Sequence, residues 1–354
     1  MPGFKSKVAS TIEVLTVSTL CVLIILKADA ASEGIRTGLK ICAGTVIPSL
    51  FPFTVLSSFI IRSGIYAKIG KIFGKVVKIL FALPEESAGV IAMGLIGGYP
   101  IGAKMTAALY RTGTITERDG KRLISFCVNA GPAFTVAAVG NSIYNSASAG
   151  ILLFLSVLLS SLTLGIIQGL FFRVKGEYRS ITNARPSYEK RSDAFINSVY
   201  DGARAMFSIC AWVTMFSALT SLIKLLPLSE RSIAVICGIC EVTTGCNVSA
   251  HVFPLAFTAA LISFSGICIF CQISGDLKEI GTTAREFFSC RAVCAVLSYL
   301  YCALLAPLFP ETVTALSNNV HTVFESTGAS IPAAICLMLT CALFIFEVDK
   351  SRRI

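Results

Sequence analysis

The chain has 354 residues, of which 55% are hydrophobic and 14% charged, and its mean hydropathy is +0.78. So little charge cannot cover a water-soluble surface of this size, which argues against a soluble enzyme and predicts an all-α, polytopic transmembrane helix bundle. The net charge of +10 comes from Lys and Arg spread over short connecting segments, a pattern of positive-inside bias and not of a nucleic-acid platform.

A bilayer core needs about 20 apolar residues per helical crossing. Stretches of that kind run over Val8–Leu26, Ile41–Ile61, Ala147–Phe172, Ile209–Leu226, Phe253–Ile273, Ala292–Phe309 and Ala329–Phe346. Lys5 and Lys7 precede the first, but no small-residue cleavage pattern follows between Lys27 and Lys40, so residues 1–40 read as an uncleaved helix with its connector. Tyr66–Leu83 carries lysines at 68, 71, 75 and 78, a helical spacing that predicts a helix lying in the membrane interface. The basic stretch 173–193 divides the chain into a first unit, 41–172, and a second, 194–310, followed by a loop, a helix and a basic tail over 311–354. That stretch and the tail are placed in the cytoplasm.

Three segments carry polar chemistry inside apolar surroundings. In "GLIGGYPIGAK", Gly98, Tyr99, Pro100 and Gly102 predict a helix break near Pro100. Irregular backbone at membrane depth is tolerated where it is buried or lines a cavity. A half-helix starting after Pro100 would point its N–H groups at an anionic group, with Lys104 one turn further on. The same residues also suit a packed glycine face with Lys104 reaching to water. Further on, Thr116 can cap a helix whose first turn holds Glu117 and Asp119, and Asn129, Gly131 and Pro132 predict a second break, or a packed proline kink. In the second unit, "CGICEVTTGCNVSAH" holds Glu241, Thr243, Thr244 and Asn247. A carboxylate in a membrane segment marks a pathway, a proton site or an internal ion pair unless the segment lies in water. Gln272 is a candidate lining residue or a helix-end residue beside Asp276.

The 14 cysteines include Cys237 with Cys240 and Cys268 with Cys271. Both pairs sit in apolar helical sequence without zinc-ribbon spacing, so they read as small hydrophobes, and no metal or cofactor is expected. His251 reads as a helix-end residue, and His321 has no nucleophile partner.

Features recur in order across the midpoint. Thr54 and Ser57 answer Thr214 and Ser217, Glu86 and Gly94 answer Glu230 and Gly238, and "LISF" occurs at Leu123–Phe126 and Leu261–Phe264. This predicts two pseudo-repeats with discontinuous helices meeting near the bilayer midplane, unless apolar helices merely resemble one another by composition.

The stretches Pro48–Ile60, Gly94–Lys104, Arg122–Phe134 and Gly238–Gly245 resemble the YlbJ-type sporulation integral membrane proteins with nucleoside-recognition (gate) domains. Cys127, Val128, Asn129 and Ala130 depart from the family's "FCNNSGP", and Thr244 stands where the family more usually has Asn. The resemblance implies a role in endospore formation, moving dipicolinate across the mother-cell-derived outer forespore membrane. The residues alone point only to an anionic group and do not identify the solute, with a coupling proton or ion and self-association left open. Transport of a nucleoside or metal cation, and a non-transporting scaffold working through the 173–191 loop, are the alternatives.

Overall fold

The computed structural model describes Ser18, residues 21–174 and residues 188–309, and all regular structure among them is helical. Most of the first expected span, the last expected span with His321, and residues 175–187 of the linker lie outside the described residues.

Helix α1 (Ala28–Ile41) passes through a π-helical turn at Cys42–Val46 into α2 (Ile47–Arg62), with a 57° bend between them. Pro48 sits in the first turn of α2, where a missing N–H costs nothing, while Pro52 lies inside it. Helix α3 (Ile65–Phe81) then meets α4 (Ala88–Ile96) at 101°. Three residue sets divide the circumference of α3. Tyr66, Gly70, Gly74, Val77 and Phe81 are buried, Lys68, Lys71, Lys75 and Lys78 are exposed, and Ile72, Phe73, Val76 and Leu80 form an exposed apolar side. At about 100° per residue each set takes roughly a third of the helix, as an interfacial helix seated on protein requires. Its C-terminal carbonyls are bonded by arginines: Arg173 donates to Lys78 and Ile79, and buried Arg122 donates to Phe81 and Ala82.

Helices α5 (Tyr99–Arg111) and α6 (Glu117–Cys127) lead through a π-helical stretch, Ala133–Asn141, to α7 (Ala147–Val174). The second half consists of α8 (Arg191–Ile223), α9 (Glu230–Cys240), α10 (Val242–Val252), α11 (Leu255–Phe264), α12 (Gly266–Ile280) and α13 (Ala284–Leu305). The expected stretches Ile209–Leu226 and Ala292–Phe309 are thus the later parts of longer helices. The helix of the first begins inside the basic stretch, at Arg191, and that of the second starts behind a Thr283–Glu286 capping box.

Among the described residues, four helical stretches are long and apolar enough to cross a membrane, one of them running through α11 and α12, or six if each bent pair counts as one span. The chain is an integral membrane helix bundle with discontinuous helices. Ile25, Ile72, Leu304 and Leu308 are 72–75% exposed, which is a lipid-facing surface. The core between the halves gathers Tyr99, Val128, Val139, Val242, Ile262 and Ile269, residues at or beside the helix breaks.

Candidate functional site

Two helical hairpins and two interrupted helices build the site. In the first hairpin, α4 ends at Ile96 and α5 begins at Tyr99, joined through Gly98 at φ +100°, a conformation that favours glycine. Its arms close on the carbonyl of Cys127, at the end of α6. A Cβ on Gly102 would stand 2.0 Å from that oxygen and one on Gly94 2.6 Å, so only glycine admits the approach. The interrupted helix beyond docks on the hairpin tip through Gly131, whose Cβ would lie 2.2 Å from the Ile96 carbonyl.

The second half holds a hairpin and an interrupted helix of its own. Helices α9 and α10 form a hairpin that closes with Gly245 against Gly238, a Cβ on the former falling 2.2 Å from the latter's Cα. The following helix is broken between α11 and α12, where Ser265 and Gly266 have φ of +74° and +76°. A Cβ on Gly266 would be 3.0 Å from the Ile239 carbonyl, at the tip of this second hairpin. Leu123–Phe126 and Leu261–Phe264 each run into such a break.

Both tips, the first break at Gly131 and the early turns of α12 face one narrow cavity of about 50 Å3, lined by Thr45, Leu50, Gly98, Tyr99, Pro100, Gly131, Phe134, Glu241, Val242, Thr243, Ile269 and Gln272 among others. A water's share of the liquid is about 30 Å3, so the cavity as it stands has room for water and not for a ring-bearing molecule. A roomier hollow of about 330 Å3, between Arg231, Ser232, Val235, Ile236 and Phe253, lies open on the surface away from every break.

Of the residues singled out in the sequence, Gly98, Tyr99, Pro100, Gly131, Glu241, Thr243 and Gln272 meet at this cavity. The other six lie off it. Gly102 packs on Cys127, and Pro132 opens the π-helical stretch. Asn129 is held in the frame of the break, donating to the Phe126 carbonyl and accepting from Ser161 at 2.6 Å. Lys104 turns to the Asp201 carbonyl at 3.4 Å, next to a clamp in which Asp201 accepts from Ser58 at 2.6 Å and from Arg62 at 2.9 Å. Thr244 receives a 3.4 Å bond from Thr220, and Asn247 is exposed. His251 occupies the last turn of α10. The described cysteines are free thiols.

Lys104 and Glu241 form no ion pair among the described residues. The two half-helix N-termini are also not equivalent. Glu241, only 2% exposed, caps its own helix α10, accepting from the N–H of Thr243 at 2.8 Å and of Thr244 at 2.6 Å. The start of α5 at Gly98–Tyr99 carries no side-chain cap. One tip therefore offers the cavity a free positive helix end, and the other a carboxylate.

Sequence reasoning missed Arg291. It is fully buried on α13, and its guanidinium donates to carbonyls at the end of α6. The rule that flagged Glu241, a charged group in an apolar segment, applies to it equally. It directly precedes the apolar stretch that starts at Ala292, a position where a charge reads as the flank of a span. The α11–α12 break also escaped, its only signal being Gly266 in an apolar run.

Fold and site together define an integral membrane helix bundle with two helical hairpins around a narrow central cavity. Residues 43–174, through the end of α7, match the family model Gate, described as nucleoside recognition. Over 392 aligned residues the chain is 27% identical to the sporulation integral membrane protein YlbJ of Bacillus subtilis (strain 168), with 95% of this chain and 94% of that protein covered. The resemblance carried by the four motifs thus extends along nearly the whole sequence. No solved structure matches the chain.

Proposed function

We propose that the protein transports a small anionic solute through the cavity between the two hairpin tips, by separation of the tips first toward one side and then the other. The observation that carries this is the pairing, in one buried cavity, of an uncapped helix N-terminus at Gly98–Tyr99 with the polar side chains of Thr243 and Gln272. The similarity to YlbJ supports a role in sporulation, and dipicolinate is the solute the resemblance implies, with the outer forespore membrane as its place of work.

Glu241 adds a constraint. An anion seated at Gly98–Tyr99 shares a water-poor cavity with this carboxylate, and two like charges there repel strongly. A proton carried in on the solute relieves the repulsion and makes the solute a proton-coupled cargo.

Purified protein in liposomes tests this with labelled dipicolinate. Saturable uptake, steeper when the solute side is acidified, is the expected result, and Glu241→Gln should flatten the pH dependence. Uptake no faster than in empty liposomes removes dipicolinate as the solute. Inhibition of any uptake by excess uridine would favour a nucleoside cargo, the reading suggested by the description of the Gate model.

A further inference from the structure

Arg291 has no carboxylate partner among the described residues, yet it is completely enclosed. It lies seven residues into α13, about 10 Å along the helix at 1.5 Å per residue. One terminal nitrogen donates to the Val128 carbonyl at 2.5 Å and to the Asn129 amide oxygen at 3.3 Å. The other donates to the Ser125 carbonyl and approaches the Cys294 sulfur at 3.5 Å, while Nε has no partner. Apart from that sulfur, its acceptors belong to the interrupted end of α6.

A helix C-terminus carries about half a negative charge, and its last carbonyls lack intrahelical donors. In discontinuous membrane helices such ends and unwound carbonyls are where coupling cations are held. Around this break the Phe126 carbonyl is taken by Asn129 and the Cys127 carbonyl is pressed between Gly94 and Gly102, which leaves Ser125 and Val128 for the guanidinium. Burying a lone cation costs several kcal/mol unless the surroundings supply negative potential, and here main-chain carbonyls supply it first, with the Asn129 amide oxygen, the Cys294 sulfur and the Phe287 ring beside them. The partner break is handled otherwise. There the Ile262 carbonyl accepts the Tyr99 hydroxyl at 2.8 Å. Arg122, the other deeply buried arginine, differs too, because Asp119 lies 3.9 Å from it.

We propose that Arg291 is a tethered resident cation, holding at the first break the place that a mobile sodium or potassium ion would otherwise take. The break is then permanently charged, and no alkali ion is bound or released there during the cycle. This rests on the interrupted helix and not on the choice of solute.

The test reads thermal unfolding of the purified protein in detergent, so it is independent of transport. At equal ionic strength the wild type should melt identically in choline, sodium and potassium chloride. Arg291→Ala should melt lower and be raised, dose-dependently, by millimolar methylguanidinium, and sodium or potassium should also raise it. Dose-dependent stabilisation of the wild type by sodium or potassium overturns the proposal, as does an Arg291→Ala protein indifferent to methylguanidinium and alkali ions alike. Should that variant not fold, Arg291→Lys and Arg291→Met are compared. Keeping the charge must preserve more folded protein than keeping the volume, and the reverse order overturns the proposal. The wild-type measurement stands even if every variant fails to fold.

Discussion

At the scale of single residues, the glycines at the contacts between hairpin and break are the most sharply constrained positions. Gly131→Ala drives a methyl into the Ile96 carbonyl, and Gly102→Ala one into Cys127. Each should lower stability by about 1–3 kcal/mol, the usual cost of overpacking. Gly44 has nothing within 4 Å of a Cβ, so Gly44→Ala should be neutral or slightly stabilising. Melting curves of the three variants check this, and equal losses at Gly44 and Gly131 would remove the steric explanation. Glu241 is constrained by its two acceptor bonds. Glu241→Gln keeps one acceptor and turns an N–H donor toward a backbone donor, which should cost about 1–2 kcal/mol in addition to its effect on pH dependence.

At the scale of elements, helices are started by local chemistry and broken by tertiary fit. The capping box of Thr116 and Asp119 starts α6 and was legible as Thr116 followed by two acids. Thr116→Ala should cost about 1 kcal/mol and leave uptake per folded molecule unchanged, because the cap lies a full helix away from the cavity. A change in apparent affinity for the solute would contradict that separation. The breaks at Gly98 and Gly131 were legible because Gly and Pro act locally on the backbone. The break at Ser265–Gly266 was not, because its cause is the approach of the second hairpin's carbonyls to Gly266, a contact between segments some 25 residues apart. Asn129 shows the converse. Its type announced a polar role, but whether it would face the cavity or bond Phe126 and Ser161 depended on where α7 packs.

For the whole molecule, the cavity is narrow, and the first hairpin is fastened to the second broken helix by the bond from Tyr99 to the Ile262 carbonyl. Tyr99→Phe removes that bond, worth about 1 kcal/mol, which shifts a closed-to-open equilibrium roughly five-fold. A single cysteine at Thr45→Cys, on the cavity wall and in a background freed of other thiols, should then react about five-fold faster with a thiol reagent. An unchanged labelling rate would mean that the bond does not hold the tips together. At the opposite extreme, Arg62, Ser58 and Asp201 join α2 to α8, so the tips can move while this clamp keeps the two halves together.

The sequence by itself determined that this is a helical membrane protein, that a Thr116 cap starts one helix, and that the chain breaks near Pro100 and Gly131, because hydropathy, caps, glycine and proline act through solvent and neighbouring backbone. Only the tertiary structure decided which interruptions meet. It set Glu241 on its own helix end and away from Lys104, sent Lys104 to Asp201, and gave Arg291 the carbonyls of α6. A charged side chain in a low-dielectric interior takes whichever dipoles packing brings within reach, and those come from helices far away in the chain.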